Sequence, residues 1–301
     1  MKKLLLSLVV SLIYISCEKI IPFEGDVTIP KLVINSIFES DSTFKVHVSS
    51  SRSVIDTASF QNIEDAVVTI KEENGSVIET LNHIENGFYK GQTFPQENQT
   101  YTLEVTHPNY SNITSSDSLP SPITINSIDT STIVDPINGD RLQITLDFDD
   151  PEKSQNYYLI ETFSVNEYLI IENLDTTEYE VDTSQQWILL TDEVFQNGGS
   201  PWRNQGLFND LLFNGQNKSL ELEIPYENES GSEGGFQWSW KTIGLRIYLH
   251  NISRSYYYYR ISLELYQNAS GNPFAQPVQV YSNIENGFGV FAGSQITYFD
   301  F

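Results

Sequence analysis

A chain of 301 residues with 16 Lys and Arg against 40 Asp and Glu carries a formal net charge of −24. That balance excludes a nucleic-acid partner, whose phosphates need a basic face, and argues against anionic lipid surfaces. One cysteine excludes an internal disulfide and a cysteine metal cluster, so the fold must be held by apolar cores, which 39% hydrophobic residues can supply for one or two domains.

The chain opens Met1-Lys2-Lys3, runs apolar from Leu4 to Ile15 and reaches Ser16-Cys17. The run is shorter than the roughly 20 residues that a spanning helix needs. A short basic start, a brief apolar stretch and a small residue before a cysteine make a lipoprotein signal. Residues 1–16 are therefore expected to be a signal peptide, with Tyr14 where leucine is commoner. Cys17 is expected to be the lipid-bearing first residue of the mature chain. Residues 17–26 read as a lipid-anchored tether. One myristoyl chain holds only marginally, at about 0.8 kcal/mol per buried CH₂; the two or three chains of a lipoprotein cysteine make the attachment stable.

Strand signals follow in series. Lys31 to Asn35 is apolar, Phe44 to Val48 alternates, and Ala66 to Lys71 is β-branched ahead of an Asn74-Gly75 turn. Val77 to Leu81 returns, Asn86-Gly87 turns again before Phe88-Tyr89, and Tyr101 to Thr106 alternates. Asn-Gly between alternating runs is a strong hairpin signal, and short strands at this spacing predict an antiparallel sandwich over residues 27–118. Leu119-Pro-Ser-Pro-Ile123 is a joint. Thr124–Ile133, Arg141–Phe148 and Tyr157–Phe163 begin a second β domain, residues 119–301. It carries an insertion at about 172–235, with short pieces at Trp187–Leu190, Leu207–Phe213 and Leu220–Ile224. Phe236–Trp240 and Ile243–Ile252 resume the strands. Ser255–Asn268 is the one helical pattern, with Tyr258, Ile261, Leu265 and Tyr266 three and four apart. Val278–Tyr281, an Asn286-Gly287 turn, Val290-Phe291 and Ile296–Phe301 close the chain. The expected fold is all-β: two antiparallel immunoglobulin- or fibronectin-like sandwiches in tandem, the second with an insertion and one short helix.

No catalytic set stands out. The four histidines lie apart from one another, with no metal-ligand spacing. There is no Gly-x-Ser-x-Gly elbow and no glycine-rich loop opening a helix. Asp147-Phe-Asp-Asp150-Pro-Glu152 is the densest acid cluster, but it lacks the spacing and glycine of a calcium loop and reads first as a solvated turn. Phe236, Trp238 and Trp240 alternate onto one side of a strand, and Trp202 lies in the insertion. These four are the candidate contacts for a glycan, a peptide or a partner, with a packed core as the competing reading of the row.

The segments Lys31–Asn35, Ala66–Ile70 with Asn74-Gly75, Gly87–Tyr89, Tyr101–Val105, Phe208–Gly215, Asn272–Phe274 and Tyr281–Gly293 carry a resemblance that spans nearly the whole mature chain. The chain resembles uncharacterised lipoproteins of Bacteroidota that carry a domain of unknown function and are often encoded beside TonB-dependent receptors; Asn283–Gly293 is the most specific motif. The resemblance implies an outer-membrane location, attachment through the lipid alone and a TonB-dependent receptor as partner, with no catalytic residues to carry over. The expected function is a non-enzymatic, cofactor-free accessory or substrate-capture lipoprotein of such a transporter. The alternative is a structural or adhesive surface lipoprotein that binds other envelope components.

Overall fold

The computed structural model describes residues 29–53, 60–137, 139–152, 154–172, 175–195, 202–225, 228–233, 236–270 and 274–300. The expected signal peptide, Cys17 and the tether to residue 26 lie outside the described residues.

The first part of the chain is built from β1 (Leu32–Phe38), β2 (Lys45–Ser50), β3 (Gln61–Asn62), β4 (Val67–Glu72), β5 (Val77–Glu85), β6 (Phe88–Lys90), β7 (Thr100–Thr106) and β8 (Ile113–Ser118). Each longer strand alternates because successive side chains point to opposite faces. Thus Ile34 and Phe38, Val46 and Val48, Val68 and Ile70, and Leu103 and Val105 are buried in one core while their neighbours are not. Each such side chain contributes about 1.5–3 kcal/mol on burial. The β5–β6 turn places Asn86 and Gly87 at φ +48° and +75°, the left-handed pair that a two-residue hairpin turn requires.

The second part contains β9 (Ile125–Ile133), β10 (Arg141–Asp149), β11 (Tyr157–Glu172), β12 (Asp175–Gln185), β13 (Ile188–Leu189), β14 (Trp202–Arg203), β15 (Gln205–Asn209), β16 (Asn217–Pro225), β17 (Asn228–Glu233), β18 (Phe236–Ile252), helix α1 (Arg254–Ala269) and β19 (Phe288–Asp300). A five-stranded sheet, β14-β13-β16-β10-β9, faces β11, β15 and β18. Ile144, Leu146, Phe148, Leu220, Leu222 and Ile224 from one layer meet Tyr158, Ile160, Phe208, Ile247 and Leu249 from the other. The stretch 172–235, expected as an insertion, is woven into both sheets: β16 is the central strand of the smaller one, and β12, β15 and β17 lie on the edges of β11 and β18.

The tandem, all-antiparallel expectation meets two differences. One fourteen-stranded sheet runs through both parts of the chain, and β1 pairs with β19 in parallel, from Val33–Phe288 to Phe38–Gly293. The second half of β19 then pairs antiparallel with β18, from Ile252–Ser294 to Arg246–Asp300. Ile284 and Phe291 accordingly complete the core of the first part. Sequential reading misses this pairing because the partners stand at opposite ends of the chain.

The motif Asn283–Gly293 is what admits the strand. The Asn283 side chain closes its loop on Phe291, donating to the carbonyl at 2.7 Å and accepting from the amide at 3.1 Å. Glu285 bridges to Thr114 of β8, so the segment fills the gap between β8 and β1. Gly289 has φ +102°, and a Cβ there would overlap the Ile34 carbonyl oxygen of β1.

Gly289→Ala should therefore destabilise the protein by about 3 kcal/mol or more, since both strain and overlap act. Gly75→Ala, at φ +86° with open space around it, should cost only about 1 kcal/mol. Urea unfolding of the two variants checks this. Equal losses would mean that the close approach to β1 contributes nothing.

Candidate functional site

Helix α1 begins where β18 ends. Ser253 caps it, its hydroxyl accepting from the Tyr256 amide at 3.3 Å, a role in which serine is favoured. One face of the helix packs Tyr257 and Ile261 against Tyr157, Leu159, Leu207 and Ile252 on the outer side of the large sheet. The adjoining face carries Tyr256, Tyr259, Arg260, Leu263, Glu264 and Gln267 at helical spacing and walls a cleft of about 1030 Å³. Asn35, Ser36 and Ile37 of β1 and Val290 of β19 border the cleft on one side, and Trp187 and residues Trp202–Gln205 on the other. It lies where the two parts of the chain meet.

The charged groups of the cleft engage one another. Arg203 pairs with Glu264 at 3.2 Å. Arg260 donates to the Tyr256 hydroxyl at 3.0 Å and to the Gln205 side-chain oxygen. The Gln185 amide donates to Glu161 and to the Asn204 carbonyl, each at 3.1 Å. Burial pushes the Tyr256 hydroxyl above its ordinary range, and the Arg260 charge partly opposes this. Glu39 is also held above the usual carboxylate range, first by burial and then by repulsion from Asp41, with His250 acting the other way.

Beside the cleft, Ser294 Oγ lies 3.0 Å from His250 Nδ1, and His250 Nε2 lies 3.5 Å from Glu161 Oε2. The order hydroxyl, imidazole, carboxylate is that of a hydrolytic triad. Ser294 is only 1% exposed, however, and is absent from the cleft lining, so no substrate carbonyl can reach its oxygen. The Ser294–His250 bond ties β19 to β18, while Glu161 of β11 lines the cleft and stands 3.5 Å from the imidazole without a hydrogen bond to it.

Of the residues singled out from the sequence, Trp202 is half-buried in the cleft wall. Trp187, with 59% of its surface exposed, joins it there; sequence reasoning took it only as the start of a short piece, Trp187–Leu190, within the expected insertion. Its exposure was hidden by its neighbours: Ile188 is buried, and Gln186 donates its backbone amide to the Thr162 carbonyl at 2.8 Å and its side chain to Ser164 at 2.6 Å. Trp238 and Trp240 do not line the cleft. A bulge at Ile243, where Val165 pairs with Gly244 and Asn166 with Thr242, turns both onto the face that carries Leu245, Ile247 and Leu249. There they are half-buried opposite Ile170 and Tyr168, with Gly231 against the Trp238 ring. Phe236 starts β18, paired with Glu172 and Glu233; its side chain lies outside what is described.

The acid cluster at 147–152 divides. Asp147 accepts from Ser127 at 2.8 Å, which with Ser219 holds it below the usual carboxylate range. Asp150 is buried and accepts from the Tyr158 hydroxyl, from Asn156 at 3.2 Å and from the Gly215 amide at 2.8 Å. It thus pins the loop Asp210–Gly215 to the sheet. Among the described residues no three His, Cys, Asp or Glu side chains converge on a possible metal position, and no helix is long and apolar enough to cross a membrane.

Asp117 of β8 joins the first part of the chain to α1, accepting from the Ser253 hydroxyl at 2.6 Å and the Ser118 amide at 2.9 Å. Burial outweighs these bonds and pushes its carboxyl up to about 6. A raised acid contributes its full stability when protonated and loses it as pH rises through the folded value. Asp117→Asn should accordingly gain on the native protein as pH rises from 4 to 7, by on the order of 2 kcal/mol. Urea midpoints at the two pH values check this; a difference that does not change with pH would refute it.

The family model described as "Domain of unknown function (DUF4249)" matches residues 18–299. No curated protein is a significant sequence match. A solved structure titled "Biofilm associated protein - BSP domain" aligns over 95% of this chain at 8% identity and a TM-score of 0.20, and this chain covers 61% of that one.

Proposed function

This chain belongs to the DUF4249 family, and from that premise we propose that it is a lipid-anchored outer-membrane protein without catalytic activity that serves as accessory or substrate-capture partner of a TonB-dependent transporter. In this reading the chain is two immunoglobulin-like sandwich units, residues 27–118 and 119–301, stitched by β19. The signal pattern of residues 1–16 and the placement of the only cysteine at position 17 support the anchor. The observation that carries the capture role is the cleft of about 1030 Å³ at the meeting of the two units. Its size suits an organic ligand, and polar groups converge on it. Its wall offers indoles and amides, which recognise, while the Ser294 hydroxyl nearby is buried away from it. The second reading, a structural or adhesive surface protein, draws on the half-buried state of Trp238 and Trp240, which suits packing better than display.

Two measurements test the proposal. Cys17→Ala should abolish incorporation of labelled palmitate and release the protein from the membrane fraction; a variant that is still acylated would remove the anchor from the reading. The tagged, lipidated protein drawn from gently solubilised outer membrane should bring a TonB-dependent barrel in stoichiometric amount, identified by mass spectrometry. Recovery of the protein alone would favour the free-standing structural role.

A further inference from the structure

We infer that the cleft takes an uncharged oligosaccharide, bound as an extended chain that runs from Trp187 and Trp202 across Asn35 into a second hollow on β2. This rests on the capture role proposed above and names its ligand class.

The chemistry of the wall selects the ligand. A sugar ring presents a patch of C–H groups on its faces and hydroxyls around its edge. The face stacks on an aromatic surface; each hydroxyl both donates and accepts, and a side-chain amide is the neutral group that offers both functions. The cleft supplies Trp187 and Trp202 for the first and Asn35, Asn204, Gln267 and Asn268 for the second. Trp187 is suited to the task in two ways. Its indole is 59% exposed although the residue after it is core. Its backbone is pinned on the preceding side by the two Gln186 hydrogen bonds to Thr162 and Ser164. A backbone anchored before the ligand arrives has less freedom to lose on binding.

Charge argues against the other ligand classes. The Arg203–Glu264 pair, the Arg260 bonds to Tyr256 and Gln205, and the Glu161–Gln185 bond mean that each of these charges already has a partner. An anionic ligand would have to break one of these contacts, leaving a charge unmatched. It would also approach a chain of net charge −24. A peptide with ionised termini meets the same obstacle.

The length of the ligand follows from the second hollow. This space of about 550 Å³ is lined by Val33, Asn35, His47, Ser49–Ser53, Phe60 and Asn62. Asn35 borders both hollows and is itself exposed. The two spaces therefore meet on the outer face of β1. The far one also offers an aromatic ring, Phe60, with 72% of its surface exposed and the Arg52 guanidinium 4.2 Å from the ring centroid, beside small hydroxyls and the amide of Asn62. Polar, aromatic-bearing subsites in line are what a chain of sugar units fills, and a single ring would leave one of them empty.

The test is calorimetry and tryptophan fluorescence on the full mature protein in detergent. The probes are neutral gluco-, xylo- and manno-hexaoses, their disaccharides, polygalacturonate oligomers and a hexa-alanine peptide. At least one neutral hexaose should bind, ten-fold or more tighter than its disaccharide. Trp187→Ala should weaken it at least ten-fold and Asn35→Ala several-fold, while Trp238→Ala, outside the cleft, leaves it unchanged. Thermal midpoints of the variants establish that they fold; should Trp187→Ala not fold, Asn35→Ala decides. The inference is overturned if no neutral hexaose binds, if the anionic oligomer or the peptide binds in its place, or if the cleft variants bind as the native protein does. A chain that binds no sugar but still co-purifies with a transporter would sink the ligand class and leave the accessory role standing; one that does neither would sink both.

Discussion

The parallel pairing of Val33–Phe38 with Phe288–Gly293 is the constraint on which the rest of the structure hangs. Parallel neighbours cannot be joined by a tight turn, and here nearly the whole chain lies between them. The sandwich of the first part therefore closes only when the last strand arrives, bringing Ile284 and Phe291 into its core. Such non-local closure defers its reward until most of the chain is in place. The same strand goes on to pair with β18, so one continuous backbone belongs to both parts, and a hinge between them would have to break a strand.

The position of the cleft follows from that crossing. Ser253, the helix cap, donates its amide to the Gly293 carbonyl at 2.9 Å and its hydroxyl to Asp117. Both bonds fix α1 at the point where β19 passes from one partner to the other. With α1 held there, and β14–β15 held by the second core, the groove over β1 has walls set by two separate packing units. Its residues are drawn from β1, β11, β12, β14, β15, β19 and α1 and from the connections at Trp187 and Asn204.

Much of the local structure is legible from the chain. Period-two burial marks β1, β2, β4, β7, β10 and β16 because each has one face on a core. The three Asn-Gly pairs read as turns carry left-handed residues where expected, at Gly75, at Asn86-Gly87 and at Asn286. The helix was expected over Ser255–Asn268 and runs from Arg254 to Ala269. Other readings were beyond reach. Val278–Tyr281 alternates like a strand but forms none, and the Tyr281 amide donates instead to the Ser262 hydroxyl of α1 at 2.8 Å. The inner face of β11 passes from Tyr158 and Ile160 to buried Thr162, Ser164 and Asn166. Ser164 and Asn166 bond through their side chains to Ser184, Gln186 and Thr242 across the sheet, while Thr162 takes part through its backbone carbonyl alone. A strand whose buried face is polar has no hydrophobic period to detect, and so the length of β11 was underestimated and 172–235 was taken for an insertion.

Periodicity reports which face of a strand is buried, because that depends on the geometry of a few consecutive residues. The strands, turns, helix, acidity and lipoprotein signal pattern are all readable on those terms. It does not report which strand lies alongside, since a strand offers the same backbone groups to any neighbour. The parallel β1–β19 pair, the bulge at Ile243 that turns Trp238 and Trp240 inward, and the meeting of Trp187 and Trp202 with Asn35 were settled by packing between residues far apart in the chain. Only the closing glycines hinted at the first of these: Gly289 is a glycine because another backbone passes where its side chain would be.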